Sequence, residues 1–419
     1  MSLFMNKNFS ILLSGRFLIN IIDSIYYISV MWLVYQYTSS TFYTGIAGAV
    51  MLIPEAISFL FGPIIDKLNK KKILLISTSI QVILLTLILF LINADSFSIP
   101  LLLLIIFLVA IATEFSYPTE NALLPLVVPE NSLVKANSLF SIARQGTDLL
   151  FNSITGFLIS IIGIAALFKI DVFLLIVVFI IFCFLKIQKV SEQEVIIDEE
   201  NYSTKEYLKD LKLGFKFVSN PLVMKVLIPL IFVNFVFSGI YVVFPEISKN
   251  FSGGADYYGL LIASLSGGMM FGSILSDRLT SKISIGSLMF YGYSVSGLFW
   301  LVFAFFAAES IWISCIALAL SGIPIGATNI VYYTLFQVIP EKDMIARLNT
   351  LTTSLITVAM PLGSVICGFL AEMFSSELIL VMNGVMMIIL GANWFILKDL
   401  RTMPKISEID TEDFKNTSI

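Results

Sequence analysis

Apolar runs of about 20 residues or more alternate with short polar turns along almost the whole chain. A helix needs about 20 apolar residues to cross the hydrocarbon core of a bilayer. The runs cover roughly residues 11–36, 43–65, 73–93, 99–123, 136–160, 165–186, 222–246, 256–277, 284–307, 310–337, 347–371 and 376–397. This pattern predicts an all-α membrane protein with twelve transmembrane helices.

One polar interval divides the runs into two sets of six. It begins with an acidic stretch over residues 192–200, which we interpret as a solvated tether. After Tyr202, apolar residues recur at helical spacing and lysines repeat on another face, which predicts an amphipathic helix on the inner leaflet. The predicted domains are an N-terminal six-helix half (1–187), a cytoplasmic linker (188–221), a C-terminal six-helix half (222–398) and a cytoplasmic tail (399–419).

The composition is that of a membrane protein, and it excludes several kinds of functional site. Hydrophobic residues make up 58% of the 419 residues and charged residues 13%, about half the charged fraction of an average soluble domain. The absence of histidine excludes imidazole metal sites and histidine proton relays, so a proton carrier must be a carboxylate. The three cysteines are scattered through apolar runs, where we expect core positions. Without a phosphate loop or a nucleophile and base at useful spacing, we expect no enzyme, cofactor, metal or nucleic-acid partner.

The distribution of lysine and arginine among the loops predicts the orientation. Basic residues collect on one side of the bilayer, which is the cytoplasmic side in membrane proteins. They are Lys7, Lys67, Lys70, Lys71, Lys72, Lys135, Arg278, Lys282, Lys342, Arg347, Lys398, Arg401 and Lys405. On the other side we place Lys169 and Lys249 beside Asp95, Asp171, Glu246, Asp256, Glu309 and Glu377. Both termini are therefore predicted to be cytoplasmic.

The turn from Gly62 to Lys72 contains a glycine, an acid and a basic cluster between two predicted helices. It resembles the loop between the second and third helices of the major facilitator superfamily. A weaker copy stands at Asp277 and Arg278, and the segments 129–139 and 156–158 are echoed at 340–351 and 368–370. The repeat indicates a duplicated six-helix unit, the arrangement of this superfamily.

A second set of motifs resembles one branch of that superfamily, the macrolide-efflux and enterobactin exporters. It comprises Pro118, Ala122, Leu124-Pro125, Val128-Pro129-Glu130, Ala136-Asn137-Ser138-Leu139 and the segment from Asp210 to Phe217. The resemblance covers residues 10–400 and implies secondary transport by alternating access. It also implies a cytoplasmic gate built from Gly62, Asp66, Lys67, Lys70, Lys71, Asp277, Arg278 and Arg347. We expect Gly62 and Asp66 to dock near Arg347 and Asn349.

Ionisable residues inside the apolar runs are candidates for function, because each costs about 2.5 to 3.5 kcal/mol at the bilayer centre on insertion scales. The proton-coupling candidates are Asp23, Glu55, Glu114 and Asp148, and the charge partners are Arg16 and Arg144. A fixed ion pair is the alternative for these acids, and Arg144 and Asp148 have the four-residue spacing for one. Pro54 predicts a kink beside Glu55.

Polar and aromatic residues in the same runs are candidates for a substrate cavity. They are Asn20, Tyr27, Tyr117, Asn234, Asn329, Tyr332 and Tyr333. Arg16, Asn20, Asp23 and Tyr27 recur at intervals of four, three and four, which places them on one stripe of the first helix, facing away from lipid. Packing is the alternative role for each aromatic residue.

The functional hypothesis is a monomeric transporter in the cytoplasmic membrane that exports an amphiphilic small molecule, such as a macrolide, in exchange for protons. The partners expected are this substrate, protons and the lipid bilayer. A siderophore or metallophore exporter is the first alternative and a lipid translocator the second. A receptor is disfavoured, because neither the interval near residue 200 nor the tail after Lys398 is long enough for an output domain.

Overall fold

The structure is a computed structural model of the full chain, and it describes residues 6–58, 61, 65, 68–94, 98–129, 132–186, 221–251, 254–307, 309–338, 354–405 and 408. Its N-terminal half contains α1 (Lys7–Thr38), α2 (Thr41–Ala56), α3 (Lys70–Asn93), α4a (Ile99–Glu114), α4b (Ser116–Val127), α5 (Leu133–Ile162) and α6 (Ile164–Cys183). Its C-terminal half contains α7a (Pro221–Ser238), α7b (Ile240–Asn250), α8 (Ala255–Lys282), α9 (Ile285–Phe306), α10 (Ile311–Val338), α11 (Met360–Met373) and α12 (Ser376–Ile396). The short α13 (Lys398–Arg401) follows.

The helices confirm the prediction of an all-α membrane protein with twelve spans, and the described residues contain no strand. Ten spans are long and apolar enough to cross a bilayer by length and composition alone. The other two are α2, which has 16 residues, and α5, which combines an apolar C-terminal part with charged residues near its start. Hydropathy alone therefore identifies α2 and α5 only weakly, and their packing against the other helices identifies them as spans.

Local sequence signals explain where several helices begin and end. Asn6 caps α1 by accepting hydrogen bonds from the backbone N–H groups of Asn8 and Phe9, at 3.1 and 3.2 Å. The second helix ends at Ala56, two residues after Pro54, and not at residue 65 as its apolar run predicts. The fourth span is interrupted at Phe115 and the seventh at Gly239.

Two of the three cysteines occupy core positions, as predicted. Cys315 and Cys367 are buried, whereas Cys183 is exposed at the end of α6. The prediction of a core position for Cys183 was wrong, because the helix ends there and its backbone is bound by a lysine from α3. The predicted tether and amphipathic helix lie outside the described residues.

The two halves contact each other near one end of the bundle. We call the end where α1 begins, at Lys7, the proximal face, and the end where it finishes, at Thr38, the distal face. The contacts run between α5 and α8 and between α2 and α11. Glycines permit both: a Cβ on Gly156 would overlap the backbone of Gly259, and one on Gly45 would meet the backbone of Ser364 and Gly368. These pairs form what we call the distal contact.

An ion pair closes the other end of the C-terminal half. Lys225 of α7a lies 2.5 Å from the carboxylate of Asp399 in α13, and the side chains are 35% and 52% exposed. The hydrogen bond and charge of Lys225 lower the pKa of Asp399 from its ordinary value. The backbone N–H of Ile285 donates to the carbonyl of Pro404 at 3.1 Å, so part of the predicted tail packs against the start of α9.

Candidate functional site

A charged pair lies inside the N-terminal half. The Nη1 atom of Arg16 in α1 is 3.3 Å from the Oε2 atom of Glu120 in α4b, and the side chains are 5% and 0% exposed. The guanidinium also lies over the ring of Tyr117, 4.4 Å from its centroid. An arginine beside an acid and an aromatic face can stay charged away from water.

This pair is only partly satisfied by hydrogen bonds. Nε of Arg16 and Oε1 of Glu120 have no hydrogen-bond partner among the described residues, and neither does the amide nitrogen of Asn20, one turn after Arg16. Buried charges gain from pairing only when their remaining donors and acceptors are also satisfied. The pair is therefore sensitive to any shift between α1 and α4b.

A second buried acid lies on α6, which packs against α1. Asp171 of α6 is 0% exposed, and both of its carboxylate oxygens lack a hydrogen-bond partner among the described residues. Tyr26 of α1 packs edge-on against Phe168, one turn before Asp171, at 6.3 Å between ring centroids. Asp23 is within electrostatic range of Asp171, Tyr26 and Glu120. The sequence places Asp171 on the non-cytoplasmic side, and the structure shows in addition that it is buried where α6 packs against α1.

A third polar group lies where the two halves meet. Ser24 donates a hydrogen bond to Asp148 of α5 at 3.3 Å, and Tyr27 meets Tyr241 of α7b edge-on at 5.5 Å. Tyr241 is within electrostatic range of Asp148, and Tyr27 of Glu55. Four half-buried or buried side chains of one half therefore lie at or near a contact with an aromatic side chain of the other. We call Ser24, Tyr27, Glu55, Asp148 and Tyr241 the interface cluster.

The remaining acid of the sequence prediction, Glu114, is half-buried and is the last residue of α4a. The chain turns there before α4b begins, and this break separates Glu114 from Glu120. The side chain of Arg144 lies outside the described residues, so its predicted pairing with Asp148 stays a prediction. Asp148 itself accepts the hydrogen bond from Ser24.

The cavity candidates of the C-terminal half have different surroundings. Asn234 is half-buried, and its amide donates to the carbonyl of Leu230 at 2.9 Å. Asn329 is half-buried on α10, whereas Tyr332 is buried between Tyr293 and Trp394. The side chain of Tyr333 lies outside the described residues. The structure thus groups Tyr27 with the interface cluster and leaves Tyr332 among core aromatics.

The predicted cytoplasmic gate falls largely outside the part of the chain that the structure describes. Gly62, Asp66, Lys67 and Arg347 are outside the described residues, as is the side chain of Asp277. Lys70 is the first residue of α3, and Arg278 is exposed near the end of α8. Lys71 donates to the carbonyls of Cys183 and Leu185, each at 2.7 Å. Its described contacts thus join two helices of one half.

The distal face carries an acidic cavity of about 240 Å³ between the halves. Ser39 and Thr41 line it from one half, and Glu246, Glu372 and Glu377 from the other. Glu372 accepts hydrogen bonds from the Ser40 hydroxyl and, at 2.9 Å, from the backbone N–H of Phe42. It therefore satisfies free donors at the start of α2 from the opposite half.

Sequence reasoning missed Glu120, Asp171 and Tyr241. Glu120 lies inside the predicted run 99–123, so a complete count of ionisable residues in that run would include it. Asp171 is six residues into its run and so close to the membrane surface that only the packing of Tyr26 distinguishes it from a surface acid. No sequence signal identifies Tyr241, because its role depends on its contact with Tyr27 in the other half.

Comparison with known proteins agrees with this architecture. The model of the family described as transmembrane secretion effector matches residues 1–419. The chain is 21% identical over 413 residues to macrolide efflux protein A of Streptococcus pyogenes, covering 96% of each chain. It is 27% identical over 176 residues to the enterobactin exporter EntS of Salmonella typhi, covering 41% of this chain and 42% of the exporter.

A solved structure shows the same fold. It is a bacterial homologue of the human lysosomal transporter Spinster in an inward-facing, unoccupied conformation, with a TM-score of 0.66 and 16% identity. The alignment covers 98% of both chains. At this identity the likeness shows the fold, and the substrate has to be argued from this chain's own residues.

Proposed function

Because the chain belongs to the transmembrane secretion effectors of the major facilitator superfamily, we propose that it exports an amphiphilic small molecule in exchange for protons. The export takes place by alternating access between the halves α1–α6 and α7–α12. The protein lies in the cytoplasmic membrane with both termini inside, as the distribution of lysine and arginine favours. The proximal face is then cytoplasmic and the distal face external.

The observation that supports the proposal most is the interface cluster. Tyr27 and Tyr241 provide aromatic surface from the two halves, and Asp148 and Glu55 provide carboxylates within electrostatic range of them. Ligand sites are mostly apolar with a few placed polar groups. A cluster with aromatic rings and acids suits an amphiphile that carries a positive charge, since the ring faces and the carboxylates both attract cations.

Coupling to protons is proposed for the carboxylates, because the chain contains no histidine. Asp23 lies on α1 between Arg16 and the interface cluster, within electrostatic range of Glu120 and Asp171. A carboxylate shielded from water favours its protonated form, and nearby negative charge favours it further. Protonation of one acid therefore changes the affinity of its neighbours for protons and for a cationic substrate.

Alternating access needs two gates that open in turn. The distal contact is closed in this structure, through Gly156 with Gly259 and through Glu372 with the start of α2. We assign the opposite gate to the turn around Asp66 and to Arg347, following the resemblance stated above. Ligands that bind one conformer better shift the population toward it, so substrate and proton act by favouring different conformers.

The substrate class is tested by transport into inverted membrane vesicles with an imposed proton gradient. A panel contains macrolides, which are weak bases, and anionic hydroxamate and carboxylate chelators. We expect gradient-dependent uptake of a macrolide-type amphiphile, and its loss when Asp148 is changed to Asn. Uptake that is independent of the proton gradient would refute proton coupling. If no compound in the panel is taken up, the proposed substrate class is refuted.

A siderophore exporter is the second candidate, and the similarity to EntS over 176 residues favours it. The acid-rich interface cluster argues for a cation or neutral amphiphile, because an anionic chelator would meet Asp148 and Glu55. Uptake of the chelators but not the macrolides in the same vesicles would establish this alternative.

A further inference from the structure

One buried acid is not explained by the interface cluster. Asp171 lies in α6 and is 0% exposed, with no hydrogen-bond partner for either carboxylate oxygen among the described residues. It stands seven residues into a 20-residue helix, so it lies roughly 10 Å along the axis from the distal end. An acid at this depth whose oxygens accept no hydrogen bond from the described residues is unfavourable in its ionised form.

The hydroxyl of Tyr26 is a second polar group in this buried region. The side chain is 6% exposed, its ring packs against Phe168 of α6, and its oxygen has no hydrogen-bond partner among the described residues. Tyr26 and Asp171 are within electrostatic range of each other. Two unpartnered polar groups from adjacent helices thus share one apolar region, enclosed by side chains such as Phe168 and Leu175.

The charges around Asp171 make an ionised carboxylate unfavourable. From α1 it faces Tyr26 and the acid Asp23, whose negative charge would repel it. From α3, the lysines are at the opposite end, where Lys71 binds the carbonyls of Cys183 and Leu185. On α6 itself, the neighbouring Lys169 is exposed.

The fourth helix nearby, α5, does not change this balance within the described residues. Its acid Asp148 accepts a hydrogen bond from Ser24 on α1, and the side chains of Lys135 and Arg144 lie outside the described residues. An isolated ionised carboxylate in an apolar environment costs far more than its neutral form. Asp171 therefore requires a proton or another cation in this conformer.

The proton fits the surroundings better than a metal ion. Ca²⁺ takes 6–8 oxygen ligands and Mg²⁺ about six. The described residues contain no group of three or more metal-ligating side chains, and Asp171 and Tyr26 supply three oxygens between them. A single proton on the carboxylate removes the charge and needs none of the further oxygen ligands that a metal ion requires.

We propose that Asp171, with Tyr26, is a proton-binding site inside the N-terminal half that carries the coupled proton while the distal contact is closed. The proton binds the carboxylate to give a neutral carboxylic acid, and it leaves as a proton toward Asp23, which is half-buried. As a coupling site, Asp171 rests on the proposed exchange with protons. Its occupancy can be measured without any substrate.

The first test is infrared spectroscopy of the full-length protein in lipid nanodiscs, recorded over a series of pH values around neutrality. We expect the carbonyl stretch of a protonated carboxylic acid in the wild type and in Asp399→Asn, which changes an exposed acid. Asp171→Asn should remove the band, and Tyr26→Phe should shift its frequency. A band that Asp171→Asn retains, or none in the wild type, overturns the site. If Asp171→Asn does not fold, Asp171→Leu and isotope-labelled aspartate in the wild type replace it.

Two further measurements identify the ion that binds Asp171 and test whether Asp171 couples proton flux to export. Loss of the band at constant pH when sodium replaces potassium would mean that a monovalent cation binds in place of the proton, which also overturns the site. In proteoliposomes, we expect Asp171→Asn to lose proton flux but keep substrate equilibration down its gradient. Flux retained by a variant that lacks the band overturns the coupling role of Asp171 and leaves proton-coupled export intact. An absence of flux in the wild type refutes proton-coupled export itself, while the infrared result still decides the site.

Discussion

Arg16 and Glu120, 104 residues apart in the chain, form a 3.3 Å ion pair that joins α1 to α4b inside the N-terminal half. With side chains 5% and 0% exposed, neither partner can turn to water if the other is lost. The pair thereby fixes α1, the helix that also carries Asp23, Tyr26 and Tyr27. The positions of Asp23, Tyr26 and Tyr27 therefore depend on this pair.

Removing one partner of this pair should destabilise the protein strongly. Glu120→Leu leaves Arg16 buried and unpaired, and breaking a buried pair in this way costs about 3–5 kcal/mol. Differential scanning fluorimetry in detergent should show a large fall in Tm. The double variant Arg16→Met, Glu120→Leu should recover much of the stability, because no unpaired charge remains.

The exposed pair of Lys225 and Asp399 is the matched control. Asp399→Asn should change Tm little, since solvent screens a pair of this kind. A small effect for Glu120→Leu, comparable with that of Asp399→Asn, would contradict the interpretation that the α1–α4b pair is isolated from water.

Small residues should control the distal contact. Gly259→Ala places a Cβ against the backbone of Gly156, and such overpacking costs about 1–3 kcal/mol. That is enough to change the ratio of two conformers roughly tenfold, so the distal ends should separate. Electron–electron distances between spin labels at Lys169 and Trp312, both exposed, measure this after the exposed Cys183 is changed to Ser.

Gly267→Ala is the control on the same helix, because a Cβ there meets nothing within 4 Å. On α5, Gly146→Ala serves in the same way for Gly156→Ala. Equal distance distributions for Gly259→Ala and Gly267→Ala would mean that the glycine pair does not hold the distal ends together.

The cap that Glu372 provides to α2 should also favour distal closure. Glu372→Ala removes hydrogen bonds to Ser40 and Phe42 across the two halves, worth about 1 kcal/mol each at an exposed site. The same spin-label pair should report a larger population of the separated form. Glu309→Ala, an exposed acid also predicted on the distal side, should leave the distribution unchanged. A response to both variants would point to general surface charge.

Lowering the pH into the acid range should weaken the ion pair that holds α13 to α7a. Lys225 lowers the pKa of Asp399, so the contribution of this pair to stability is present above the pKa of the unfolded chain. It is lost only as pH falls through the lower pKa of the folded protein. The protection of the backbone amides of residues 398–401 against hydrogen exchange should therefore stay high from neutral pH down to acid pH and then fall. In Asp399→Asn this protection should be lower throughout.

The sequence predicts the spans well because a bilayer demands long apolar helices. Predicted and observed starts agree within a few residues for most spans, as for the third (73 and Lys70) and the ninth (284 and Ile285). The break at Gly239 has no hydropathy signal, since the residues around it are still largely apolar, whereas the break at Phe115 falls beside the polar residues Glu114 and Ser116. Pro54 does signal a disturbance, and α2 ends beside it.

The candidate site could be predicted only where a single helix defines it. The stripe from Arg16 to Tyr27 follows from helical spacing, and the structure buries Arg16 and Asn20 on it. The partner of Arg16 depends on the register between α1 and α4b, and the burial of Asp171 depends on Tyr26. Contacts between residues that are distant in the chain, such as Tyr27 with Tyr241, need the tertiary fold.

Substrate-evoked proton flux in proteoliposomes tests the central claim most directly. Wild-type protein should move protons when a macrolide-type substrate is added, and the flux should fall at least tenfold when Asp23 is changed to Asn or Glu114 to Gln. The reason is that the neutral amide of Asn or Gln neither binds nor releases a proton near neutral pH. The counter-result would be substrate transport with an unchanged pH dependence in both variants, which would contradict coupling through these acids.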